Sequence, residues 1–200
     1  DGPRPQRPDL LLRRARSQTR RRRRRFADLG RNRLTMPKLL LDRLRSDSVA
    51  EFRLAANHRF EEANLLYDGG QRTVAIYLFG YVVEMELKAA YFALAGFTPR
   101  QPILIRDLQA ARSNARQLGV AWLGDLHDVA AWAGFLVYLR QRSRRLAYPL
   151  GWDRLVLSKS REVSRIWHES LRYHANLAYP HEVRTVRAAA EWFLEHENDL

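Results

Sequence analysis

Between Thr73 and Leu94 the chain carries Val74, Ile76, Tyr77, Leu78, Tyr81, Val82, Met85, Leu87, Tyr91 and Phe92, and its only charged residues are Glu84, Glu86 and Lys88. The spacing predicts a helix, and these apolar residues fall on every side of it. Such a helix has no solvent face, so other elements must enclose it. Two placements satisfy that demand: the centre of a helical bundle, or a shared interface between two copies. Gly80, Glu84 and Lys88 recur every four residues and so share a face. Gly80 admits a close neighbour there, and Glu84 precedes Lys88 in the favourable i,i+4 order, which reads as a structural ion pair.

The flanking sequence supplies helices to do the enclosing. Ser48-Val49-Ala50-Glu51 reads as a capping box. Val49, Phe52, Ala56, Phe60, Ala63 and Leu66 then form one apolar stripe, closed by Asp68-Gly69-Gly70. Leu104, Leu108, Ala111, Ala115 and Leu118 mark a third helix ending at Gly119, and Leu126, Val129, Ala130, Ala133, Val137 and Tyr138 a fourth. Arg140, Arg142, Arg144 and Arg145 crowd the fourth helix's end, where they suit its negative pole or a bound phosphate. After a loop at Tyr148-Pro149-Leu150-Gly151, a fifth helix is expected over residues 158–171. A sixth is expected to start after Pro180 and to run to the C-terminus through Val183, Val186, Ala190, Phe193 and Leu194. No run alternates with period two, so the fold class is all-α, an up-and-down bundle of five to six helices spanning residues 46–200.

Charge divides the chain differently. The net formal charge is +13 over 200 residues. Residues 1–35 hold 13 Arg against Asp1, Asp9 and Asp28, so the remainder is close to neutral. Residues 1–40, with Pro3, Pro5, Pro8 and the run Arg20 to Arg25, form a self-repelling, apolar-poor leader that is expected to be disordered. It reads either as an RNA- or membrane-surface arm or as upstream sequence ahead of a start at Met36. No apolar run approaches the roughly 18 residues of a membrane span. Cysteine is absent, which removes disulfides and thiolate metal sites and fits a cytoplasmic protein. Neither a Gly-rich nucleotide loop nor a Gly-x-Ser-x-Gly elbow occurs, so no cofactor is expected. His127-Asp128 has no accompanying ligand cluster and reads as a surface pair rather than a metal site. Trp122, Trp132, Trp167 and Trp192 read as core or interface anchors.

Three segments resemble a known family in their order. Ala63-Asn64-Leu65-Leu66-Tyr67-Asp68-Gly69-Gly70 leads into Ala75 to Ala89 with its Glu84-x-x-Leu87-Lys88 element; Arg106-Asp107-Leu108 opens the third helix; and Trp167-His168-Glu169-Ser170-Leu171-Arg172-Tyr173 precedes a proline loop and a last amphipathic helix. Together these resemble the HEPN superfamily, in the branch with a Trp…Leu-Arg-Tyr ending, although Arg106 stands where that family often has His. The resemblance implies a helical bundle, commonly a homodimer, and in many members RNA cleavage without metal, often beside a nucleotidyltransferase-like antitoxin. Its chemistry uses Arg-x4–6-His, the Arg holding the scissile phosphate and the His acting as acid or base.

Here Arg172 would need a His at 177, 178 or 179, and those positions hold Leu177, Ala178 and Tyr179. His174 comes too early and His181 too late. Arg161 and His168 lie seven apart, on one face of the expected fifth helix but about 10 Å along it. Arg53 and His58 also fit the spacing but point about 140° apart. The expectation is therefore a non-catalytic module that binds RNA or a partner. A metal-independent endoribonuclease using Arg172, His168 and Arg161 is the alternative, and a purely structural interaction module a third. His174 and His181 join the four arginines of the fourth helix as candidate binding residues.

Overall fold

The computed structural model describes residues 39–143 and 151–200. The leader before Leu39, together with Arg144, Arg145 and the Tyr148 to Leu150 part of the loop, lies outside the described residues. Leu40–Arg43 forms a single helical turn in a unit of its own. Residues 45–200 form a second unit, built from six helices with no strand among the described residues. They are α1 (Val49–Asp68), α2 (Arg72–Leu94), α3 (Ile105–Gln117), α4 (Val129–Arg142), α5 (Trp152–Ser164) and α6 (Pro180–Glu195), with a 3-10 turn at Glu169–Tyr173.

The helix ends follow from local chemistry. Ser48 Oγ accepts from the Glu51 amide at 3.2 Å, which satisfies one of the free donors at the start of α1. The reciprocal arm of the expected capping box is missing, because Glu51 pairs with Arg45 at 2.8 Å instead. Asp128 caps α4 by accepting from the Ala131 amide at 2.9 Å. Gly70 takes the left-handed conformation that closes α1 (φ +79°).

Of the two placements open to the apolar helix, the structure adopts the bundle centre. α2 packs against α1, α4, α6 and the 3-10 turn, and Ile76, Phe79, Val82, Val83 and Leu87 are buried. A second copy of the chain is not required to cover it. Gly80 performs the close approach its position suggested, but towards a side chain rather than a helix. A Cβ there would lie 2.0 Å from the Trp167 ring, whose Nε1 donates to the Tyr77 carbonyl at 2.9 Å.

That indole also explains a correction. The fifth helix spans Trp152–Ser164, not residues 158–171. Its stripe is Trp152, Val156, Ser160 and Val163, all buried. The chain leaves the helix so that Trp167 can enter the groove at Gly80. A helix continued through Leu171 would carry that ring past the groove. Among the described residues, no helix is long and apolar enough to cross a membrane.

Candidate functional site

The expected pair of Glu84 and Lys88 is present, buried at 2% and 6% exposure. Lys88 Nζ donates to Glu84 Oε1, and its ammonium sits 5.7 Å from the Trp132 ring centroid. A third member joins them from 43 residues away. His127 Nδ1 lies 3.0 Å from both Glu84 oxygens. His127 and Asp128 are thus not a surface pair: the first is tied to a buried carboxylate, and the second spends its oxygens on the Ala131 and Gly124 amides. The main-chain amide of His127 is itself held by Asp125 Oδ1 at 2.7 Å.

This seating fixes the ring's chemistry. With Nδ1 donating to Glu84, the neutral imidazole keeps Nε2 as an acceptor. The hydrogen bond from Glu84 raises the His127 pKa above the ordinary histidine value, while burial and the Lys88 charge oppose the rise.

His127 lines a cavity of about 290 Å³ together with Trp167, His168, Asp125, Asp128 and Glu169. His168 Nδ1 accepts from the Ser170 amide at 3.2 Å and lies 2.9 Å from Ser170 Oγ. That bonding puts the proton of its neutral form on Nε2, the tautomer opposite to that of His127. His127 thus offers an acceptor nitrogen, whereas His168 could give a proton only as its imidazolium, beside which Glu169 Oε2 lies 3.3 Å from Nδ1. Asp125, Asp128 and Glu169 also line the cavity, so a phosphate there needs a cation to offset them.

Arg172 stands beside this cavity without lining it. Its guanidinium lies 4.8 Å from the Tyr173 ring centroid. Hydrogen bonding to the Tyr173 and then the Tyr77 hydroxyl favours its charged form. Tyr77 and Tyr81 meet edge to face at 4.9 Å, and Tyr81 meets His127 the same way at 6.1 Å. Burial first, then the Tyr77 hydroxyl and the Glu84 charge, push the Tyr81 hydroxyl well above the ordinary tyrosine value. A chain of contacts therefore runs from Arg172 at the surface to Lys88 in the core.

The other expected site residues are scattered. Arg161 is exposed on α5. It shares no helix with His168, because α5 ends at Ser164. Arg140 is 2% exposed, with its guanidinium 5.8 Å from the Trp152 ring centroid. This corrects its reading as a surface phosphate contact. Arg142 is exposed and lies over Tyr138 at 4.8 Å. His174 and His181 are exposed and do not line the cavity; His181 stacks on Tyr179 at 5.9 Å.

The two histidines and Arg172 belong instead to an exposed strap over residues 172–181. Tyr173, Leu177 and Tyr179 project at 74%, 58% and 64% exposure. From Ser170 to His181 there is no acidic residue. Thr73 anchors the strap to the start of α2, its Oγ1 accepting from the Leu177 and Ala178 amides at 2.8 and 3.1 Å.

Sequence reasoning missed His127. The signal available was Glu84 itself, a carboxylate on a helix with no solvent face, where a second neutralising partner would be welcome. No group of three or more His, Asp or Glu side chains among the described residues is arranged to hold a metal. No family model matches the chain, and neither curated proteins nor solved structures include one similar to it.

Proposed function

We propose that residues 45–200 are a HEPN-like module that engages RNA through the strap at residues 172–181. The observation that carries this reading is the strap's composition. Exposed Tyr173 and Tyr179 offer faces for bases, Arg172 offers charge to the backbone, His174 and His181 offer ring N–H donors, and no carboxylate intervenes. Aromatic rings interleaved with basic groups suit single strands, each stacked base contributing about 1–3 kcal/mol. The leader binds any polyanion by charge alone, so the test must separate the two. Full-length chain and its Tyr173→Ala/Tyr179→Ala variant are titrated with single-stranded RNA at two salt concentrations. Binding tenfold or more weaker in the variant supports the strap. Equal affinity at both salts overturns it.

A second reading, a metal-independent endoribonuclease, has its own observation in its favour: His127 and His168 share a cavity in opposite tautomers, with Arg172 alongside. In that reading His127 Nε2 takes the proton of a ribose 2′-hydroxyl. The O2′–P bond forms as the P–O5′ bond breaks, and His168, starting as the imidazolium, gives a proton to O5′ and is left neutral. Arg172 would hold the phosphate, and His127 would replace the histidine that its motif lacks. Cleavage of RNA in EDTA, leaving 2′,3′-cyclic phosphate ends and lost in His127→Gln and His168→Ala, supports it. The same cleavage in His127→Gln refutes it.

A further inference from the structure

The second buried glutamate of α2 lies outside both readings. Glu86 is 1% exposed, and neither of its carboxylate oxygens has a hydrogen-bond partner. Two charged groups act on it from the elements packed around it: Arg53 from α1 and Glu197 from the turn after α6. Arg53 is only half engaged. One of its terminal nitrogens donates to the Glu197 main-chain carbonyl at 2.8 Å, while its Nε is buried without a partner. The turn at residues 196–200, whose His196 stacks on Trp192 and whose Leu200 packs against the core, is also tied to α1 by a guanidinium that acts on an unsatisfied acid.

We propose that Glu86 and Arg53 form a proton-operated catch on the turn at residues 196–200. With Glu86 protonated, Arg53 holds the Glu197 carbonyl and the turn is docked. When Glu86 loses its proton, the new carboxylate sits in a site that solvates it poorly, with Arg53 the one cation among the described residues that acts on it. A guanidinium bonds a carboxylate more strongly than a neutral carbonyl, because a full negative charge replaces a dipole. Arg53 therefore turns to Glu86, and the Glu197 carbonyl is released. The Glu197 side chain adds to the drive, because a second negative charge beside Glu86 favours the departure of its own residue. Burial pushes the Glu86 pKa up to about 8, which places the exchange within reach of ordinary solution conditions.

The test follows two carbon resonances in the full-length protein from pH 6 to 9.5: the Glu86 side-chain carboxyl and the Glu197 main-chain carbonyl. Neither is lost to exchange with water. The expected result is one shared inflection, absent from the Glu197 carbonyl in Glu86→Gln. In Arg53→Gln the Glu197 carbonyl should already sit at its high-pH position at pH 6. A Glu197 carbonyl that stays still while Glu86 titrates overturns the catch, as does an inflection that survives in Glu86→Gln. Should Glu86→Gln fail to fold, the Arg53→Gln spectrum decides alone: a carbonyl unmoved from its wild-type position at pH 6 refutes the proposal.

Discussion

Glu84 and Glu86 stand two residues apart on α2 and are equally hidden, at 2% and 1% exposure. Their surroundings are opposite. Glu84 has an ammonium from its own helix and an imidazole from the start of α4. The Glu86 carboxylate has no hydrogen-bond partner among the described residues, and Arg53, whose charge acts on it, donates to a carbonyl elsewhere. Burying a charge costs several kcal/mol unless partners replace the lost water. Glu84 therefore sits in a prepared site, and Glu86 meets the same cost by keeping its proton. One helix thus carries a partnered carboxyl group towards the histidine cavity and an unpartnered one towards the turn after α6.

The comparison breaks most visibly at Lys88. Its side chain and that of Glu84 are 8% and 3% accessible, so Lys88→Met leaves a buried carboxylate with only His127 beside it. Breaking such a pair costs about 3–5 kcal/mol. Chemical denaturation should show the midpoint fall accordingly, and a loss below 1 kcal/mol would mean that water reaches Glu84. Replacing both, as Glu84→Leu/Lys88→Met, should recover most of the loss, because an apolar pair needs no partner.

At Glu86 the expected effect is a slope. Its folded pKa, about 8, lies above its ordinary value of 4.5, so the folded chain binds the proton more tightly than the unfolded one. The stability this provides is fully present below pH 4.5 and is lost as pH rises towards 8. In that window the loss approaches about 1.4 kcal/mol per pH unit. Unfolding free energies measured at pH 5, 6, 7 and 8 should fall steadily in the wild type. In Glu86→Gln this contribution to the fall should vanish; an equally steep fall there would show that other groups set the slope.

The sequence carried the bundle plainly. An apolar face all round α2 admits few arrangements, and the glycine and Asx signals at the ends of α1, α3 and α4 are local. The bounds of α5 were hidden because Trp167 leaves the helical path for a groove at Gly80, and that groove exists only after α2 is packed. His127 was hidden for the same reason. Its partner lies 43 residues away, and a His-Asp pair with no ligand cluster beside it reads most simply as a surface pair. Glu86 was closer to view. Its neighbours at i−4 and i+4 are Val82 and Ala90, so nothing on its own helix neutralises it, whereas Glu84 has Lys88. A carboxylate with no local partner on a helix without a solvent face is a sign that can be read before any coordinates exist.

The smallest effect falls on the link between Glu84 and the cavity. His127 donates to an anion and is partly exposed, with 35% of its side chain accessible. A hydrogen bond to a charged group contributes about 1.5–3 kcal/mol when shielded, and solvent screening brings this one towards about 1 kcal/mol. The sign follows from the raised pKa: the stabilisation is complete below pH 6.5 and fades as pH rises through the higher folded value. Replacing His127 with Gln should therefore destabilise the protein most at pH 5.5 and least at pH 9, the same direction of trend as the Glu86 contribution but over a higher and narrower pH window. In Lys88→Met the His127 titration, followed by its ring proton shifts, should move further up, since the Lys88 charge now holds it down. A titration that stays where it was would detach His127 from the buried pair, leaving Glu84 and Glu86 differing only in Lys88.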